Sequence, residues 1–146
     1  MKNTKAHQLA MPVVYYSPIT FLYWYDLPDV YKGEKELDFW KHCPTVWDES
    51  KALAGEIGEY IVQARSSGND WFVGAMNGLQ ARDITLNTAD FLQKGKKYRV
   101  EIYNDDPSLQ TRTKVSSTVL NVKAGKQLKL HLQASGGAAL RFVPVK

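Results

Sequence analysis

The hydrophobic period of this chain changes partway along it, and that change limits its folding more than any other feature. From Trp47 onward, apolar residues recur at every second position in short runs broken by turn residues. Tyr60, Val62 and Ala64 alternate with Glu59, Gln63 and Arg65, and Ile61 adds an apolar residue to the second face. Ile84 and Leu86 alternate with Asp83, Thr85 and Asn87. Tyr98, Val100 and Ile102 alternate with Arg99, Glu101 and Tyr103, and Leu128, Leu130 and Leu132 with Lys129, His131 and Gln133. A period of two belongs to strands with one buried face. Residues 71–77 are apolar almost throughout, as in a central strand. A β-branched strand is expected over 111–115, and a last strand over 138–143. Turn signals separate these runs at Ser66-Ser67-Gly68-Asn69-Asp70, Asn77-Gly78, Asn104-Asp105-Asp106-Pro107 and Gly136-Gly137. About seven or eight short strands in roughly 100 residues predict an antiparallel β-sandwich.

The first third obeys no such period. Of four tryptophans, eight tyrosines and five phenylalanines, ten fall within residues 15–47. Charge divides in the same way. Residues 1–50 carry five lysines against seven acids, and residues 51–146 carry fourteen basic against eight acidic residues. Ser17-Pro18 is a helix start, with serine able to cap and proline suited to the first turn. It predicts a helix over 19–26 that Pro28 ends. A second short helix is expected over 34–43, with acids at Glu34, Glu36 and Asp38 near its positive end and Pro44 beyond it. Leu37 and Trp40 share a face of that helix. The large residues from Phe21 to Tyr25 make the first helix apolar all round, so it needs cover on several sides. The expected cover is a surface outside this chain. Met1 to Lys5 resembles the basic start of a secretory signal, but His7, Gln8, Pro12 and Pro18 interrupt any apolar core. The expectation is instead a chain that begins partway through a larger protein.

Several chemistries find little support. The single cysteine, Cys43, excludes an internal disulfide framework and any multi-cysteine metal site. Cys43 ends a helix, where the dipole disfavours a thiolate, and adjacency to His42 makes no nucleophile–base pair. His7, His42 and His131 have no metal-ligand spacing. Asp48/Glu49, Glu56/Glu59 and Asp105/Asp106 are the carboxylate pairs that acid–base sugar chemistry or a calcium ion would need. Each sits at a strand start or in a turn that explains it without catalysis. Lys94, Lys96, Lys97, Arg99, Lys123, Lys126 and Lys129 raise the charge to +4, yet they alternate along strands or occupy turns, as on a solvated sheet. No nucleic-acid partner is expected from them. Nor is a membrane, because no apolar run nears the roughly 20 residues of a spanning helix. Trp71, Tyr60, Tyr98 and Tyr103 are the candidates for a sugar-stacking platform, although Trp71 fits a core better.

The order of particular residues says more. Ser17-Pro18-x-x-Phe21-Leu22-Tyr23-Trp24-Tyr25-Asp26 is followed by Pro44-Thr45-Val46-Trp47-Asp48-Glu49, Gly58-Glu59-Tyr60 and Trp71-Phe72-Val73-Gly74-Ala75-Met76. Glu101-Ile102-Tyr103-x-Asp105-Asp106 and Ala134-Ser135-Gly136-Gly137-Ala138-Ala139 complete the series. In this order, over nearly the whole chain, the pattern resembles the C-terminal part of glycoside hydrolase family 97, a family of α-glucosidases and α-galactosidases. The resemblance implies a parent with an N-terminal β-super-sandwich, a (β/α)8 barrel and a C-terminal β-sandwich tied to oligomerisation. Residues 1–43 then correspond to a helical remnant of the barrel, and residues 44–146 to the sandwich. The family's catalytic and calcium-binding glutamates lie earlier, in the barrel, so no catalytic, metal or cofactor residue is carried over to this chain. The implied partners are the preceding barrel and further copies of the chain. Phe21, Tyr23, Trp24, Tyr25 and Trp40 are the implied interface residues. Members of the family are often periplasmic. A carbohydrate-binding module attached to a glycoside hydrolase is the alternative.

Overall fold

The computed structural model describes residues 3–21, 24, 28–30 and 32–145. It is a mainly antiparallel β structure of eight strands with two short helices, and its sheets stack as a sandwich. The strands are β1 (Glu49–Glu56), β2 (Tyr60–Ser67), β3 (Asp70–Asn77), β4 (Arg82–Asn87), β5 (Lys97–Asp105), β6 (Val115–Lys123), β7 (Gln127–Leu132) and β8 (Gly137–Pro144). Six of them form one sheet in the order β1-β2-β3-β8-β5-β6, and β4 and β7 form a two-stranded sheet. Every pairing is antiparallel.

The six-stranded sheet buries both faces at its centre. Its inner face meets the β4–β7 ribbon. Val62, Trp71, Val73, Leu140 and Phe142 pack there against Ile84, Leu86, Leu128, Leu130 and Leu132. The strict alternation of β4 and β7 follows from having one dry and one wet face. The other face of the large sheet carries helix α1 (Lys5–Val14) and, beside it, α2 (Asp38–His42). Phe72, Tyr103, Val115 and Ala139 form the floor of this second core. Central strand β3 thus has no wet side, and its sequence reads apolar throughout.

Three elements depart from sequence expectation. The first is α1 itself, over a stretch whose sequence reads only as an interrupted signal-like segment, with no helix expected. The helix runs through Pro12, which lies inside it. Ala6, Leu9, Ala10 and Val13 form an i, i+3, i+4, i+7 stripe that is fully buried on the sheet. That burial offsets the hydrogen bond proline cannot make. The second is the helix expected over 19–26. Ile19, Thr20, Phe21 and Trp24 are not helical, and the other residues of that stretch lie outside those described. Ser17 Oγ instead accepts from the Ile19 N–H at 3.3 Å and donates to the Ile19 carbonyl at 2.5 Å, closing a local turn. The third is the strand expected over 111–115. Residues 111–113 are a bend, Lys114 follows at φ 52°, and β6 begins only at Val115. The second expected helix divides into a 3-10 turn, η2 (Lys35–Leu37), and α2.

Candidate functional site

The outer layer holds aromatic side chains from the chain's first third. Helix α1 lies close on the sheet because two strand positions lack a Cβ. A Cβ on Gly74 would stand 2.8 Å from the Ala10 carbonyl oxygen and 3.0 Å from Val13 Cβ. One on Gly137 would stand 2.8 Å from His7 Cα. Polar groups fix both ends of the helix. At its start, Thr4 Oγ1 accepts from the His7 N–H at 3.2 Å and donates to Asp105 Oδ2 at 3.0 Å. The Gly137 N–H donates to the same carboxylate oxygen at 2.9 Å. His7 Nδ1 lies 3.0 Å from the Gly136 carbonyl. At its end, Arg65 Nε donates to the Val13 carbonyl at 2.6 Å, and Arg65 Nη1 donates to Ser50 Oγ at 2.5 Å. A buried cation at the C-terminal carbonyls also complements the helix dipole.

Burial in this clasp shifts the titration of its members. Burial pushes the His7 pKa down, against the opposing pull of Gly136 and Asp105. Burial pushes the Asp105 pKa up, and the hydrogen bonds from Gly137, Thr4 and Ala6 partly offset it. Asp106 accepts from the Ser108 N–H at 3.1 Å, which closes the turn. The Asp-Asp-Pro segment is therefore an anchor and a turn. Among the described residues, no three His, Cys, Asp or Glu side chains converge as metal ligands would.

The aromatic residues of the first third meet around α1. Trp24 and Trp40 stack edge to face with centroids 5.1 Å apart. Trp40 Nε1 donates to the Leu9 carbonyl at 3.3 Å. Lys5 Nζ sits 4.8 Å over the Trp24 ring and donates to the Trp24 carbonyl. Phe39 is fully buried and meets Phe72 and Tyr103 edge-on, at 5.9 and 5.8 Å. Trp47 meets the other side of Phe72 at 5.5 Å. Of the five residues expected at an interface, Trp24 is thus buried and Trp40 half-buried within the chain itself. Phe21 is 94% exposed. Tyr23 and Tyr25 lie outside the described residues. The sheet face supplies cover that sequence reasoning expected from elsewhere. Phe21 stands beside exposed Tyr15 and Ile19 around an apolar cleft of about 390 Å³, which Met11 and Trp40 also line. The helix α1 that carries Met11 and Pro12 to this cleft was not read from the sequence, although the i, i+3, i+4, i+7 stripe of Ala6, Leu9, Ala10 and Val13 was a signal that could have found it.

The remaining candidates disperse. His42 and His131 are exposed and His7 is buried. His131 Nδ1 lies 2.6 Å from Asp83 Oδ1. Burial pushes the Cys43 thiol up to about 12. Asp48 Oδ2 accepts from the Gly68 N–H at 2.7 Å, and Glu59 pairs with Arg82 at 2.6 Å. Trp71, Tyr98 and Tyr103 are buried, and Tyr60 is half-buried under Arg82. They form no exposed stacking platform. Lys94, Lys96, Lys97 and Arg99 are solvated. No helix among the described residues is long and apolar enough to cross a membrane.

The model of one protein family, described as glycosyl-hydrolase 97 C-terminal, oligomerisation, matches residues 46–143. The chain belongs to this family. A retaining α-galactosidase of Bacteroides thetaiotaomicron is 37% identical over 143 residues, which are 97% of this chain and 21% of that protein. A solved family 97 enzyme from Pseudoalteromonas sp. strain K8, in complex with acarbose, superposes with a TM-score of 0.87 at 37% identity. That superposition covers 99% of this chain and 23% of the enzyme. A crystal structure of a β-arabinopyranosidase superposes at 0.74 and 29% identity, over 96% of this chain and 21% of that one. The chain thus spans about a fifth of the length of these relatives. The family 97 match begins where the period-two pattern begins, but the likeness to whole relatives reaches back through α1.

Proposed function

We propose that this chain is the non-catalytic C-terminal β-sandwich of a family 97 α-glycosidase, acting on α-glucosides or α-galactosides. It buttresses the catalytic barrel and takes part in subunit association. Residues 1–43 are the barrel's last helical section, and residues 44–146 are the sandwich. Any cofactor of the parent, calcium included, is held outside this chain. The observation that carries this proposal is the exposed apolar surface at Tyr15, Ile19 and Phe21, on the segment that leads into the sandwich. Exposed apolar patches of this kind mark surfaces that meet other protein. The catalytic barrel is the partner that covers it, with Phe21 and the neighbouring tyrosines at the contact.

The purified chain should leave nitrophenyl α-glucoside and α-galactoside intact. It should also bind an apolar dye such as anilinonaphthalene sulfonate, and Ile19→Lys with Phe21→Lys should remove most of that signal. Turnover of either glycoside would overturn the non-catalytic assignment. Dye binding that the double variant leaves unchanged would overturn the surface.

A further inference from the structure

The two edges of the six-stranded sheet are unlike, and the difference points to how copies of this chain meet. Exposed edges are templates for pairing, and proteins guard them with charges, bulges, proline or cover. Edge strand β1 is guarded. Its register with β2 shifts between Ala52 and Ala54, and it carries Glu49, Lys51 and Glu56. Edge strand β6 has none of these devices over most of its length. It pairs with β5 through nine consecutive positions without a shift. From Val115 to Val122 it holds no charged residue and no proline. Residues 32–36 lie beside Val115 and Ser117, at its start. Beyond that, Thr118, Val119 and Asn121 are exposed, and Val119 is 54% exposed.

We infer that β6 pairs with β6 of a second copy, antiparallel about a twofold axis, so that one six-stranded sheet continues into the other. The inference rests on the subunit-association part of the proposed function and names its surface. The strand is complementary to itself. With the axis at Val119, Val119 opposes Val119, Thr118 opposes Leu120 and Ser117 opposes Asn121. Opposed β-branched residues form a favourable cross-strand pair, and no like charges meet at the centre. Lys123 sits at the solvated end of the seam, where salt screens it. The contact is isologous and uses up both unguarded edges. The guarded β1 edges then remain outside, so the assembly stops at two copies instead of growing into a filament.

Sedimentation of the full chain gives the test. The wild type should sediment at twice 16.5 kDa. Val119→Lys places two lysines against each other across the axis and should give the 16.5 kDa monomer with unchanged circular dichroism. Ile57→Lys, at the exposed tip of the β1–β2 hairpin, should leave the dimer intact. Amide exchange at those of residues 118–121 whose N–H groups point away from β5 should be slow in the wild type and at least tenfold faster in Val119→Lys. A dimer that survives Val119→Lys overturns the β6 seam and leaves subunit association standing. A dimer that Ile57→Lys dissolves overturns the seam in favour of the hairpin. A wild type that is monomeric at high concentration overturns both seam and subunit association. Assemblies larger than two overturn the closure argument.

Discussion

Phe39→Ala measures whether the first third of the chain is part of this fold or an appendage to it. Phe39 is fully buried, on the five-residue helix α2. Such a helix has no stability of its own, since isolated helices below roughly 12 residues are marginal in water. What holds it is the ring, wedged edge-on against Phe72 of β3 and Tyr103 of β5. Truncation to alanine removes buried area and leaves a cavity, at a cost of about 3–5 kcal/mol for phenylalanine in a packed core. Both neighbours belong to rigid central strands that cannot collapse into the space, which favours the upper half of that range. For a chain of this size, each kcal/mol lowers Tm by about 3 °C, so the fall should be about 12–15 °C. Urea unfolding, followed by tryptophan fluorescence and by far-ultraviolet circular dichroism, gives the free energy directly. Both probes should move together, because Trp24, Trp40 and Trp47 report the outer layer and the dichroism reports the sheet. The control is Phe21→Ala, at 94% exposure, which should change stability by no more than about 0.5 kcal/mol. A Phe39→Ala cost below about 1 kcal/mol would refute the second core. So would a fluorescence transition that precedes an unchanged dichroism transition.

Three more outcomes follow from the outer layer. Gly74→Ala should destabilise by about 1–3 kcal/mol in the same urea titration, because the new Cβ meets the backbone oxygen of Ala10, which can move only with the helix. His7 has its pKa lowered by burial, so the folded chain resists its protonation. Its contribution is therefore complete above the unfolded value near pH 6.5 and is lost as pH falls from there through the lower folded pKa. Stability measured from pH 7.5 to 4.5 should decline over that window, and His7→Gln should flatten the decline. Cys43, with its thiol pushed up to about 12, should react with a disulfide reagent at pH 8 far more slowly in the folded chain than in urea.

What was legible in the sequence sorts by how local the cause is. β4 and β7 read directly from alternation, because each has one dry and one wet face. β3 reads as apolar and central, but its sequence does not say that two separate cores bury it. That fact depends on α1, an element not expected from the sequence. The stripe Ala6, Leu9, Ala10, Val13 was present all along, but Pro12 lies inside the helix, and tertiary burial of the stripe sustains it. The strand expected over 111–115 failed for a related reason. β-branched composition was there, but the partner ladder on β5 ends at Asp105, opposite Val115, and beyond it the Asp106 N–H donates to the Lys114 carbonyl at 2.8 Å as the chain bends away. The clasp of Thr4, His7 and Asp105 spans about 100 positions and leaves no local trace.

The crowding of aromatics into residues 15–47 therefore has two causes rather than one. Trp24, Phe39, Trp40 and Trp47 belong to the outer core of the sandwich: Phe39 meets Phe72 and Tyr103 of the sheet, Trp47 meets Phe72, and Trp24 and Trp40 meet each other. They explain why Phe72 and Tyr103, on the face opposite the main core, are aromatic at positions where a one-faced sheet would be polar. Tyr15, Ile19 and Phe21 do not share that explanation, since nothing among the described residues covers them. A large apolar side chain left 94% exposed gains nothing from the hydrophobic effect. One aromatic group thus holds the leading segment to the sheet. The other faces outward, and exposed apolar groups clustered in that way mark a surface suited to meet other protein.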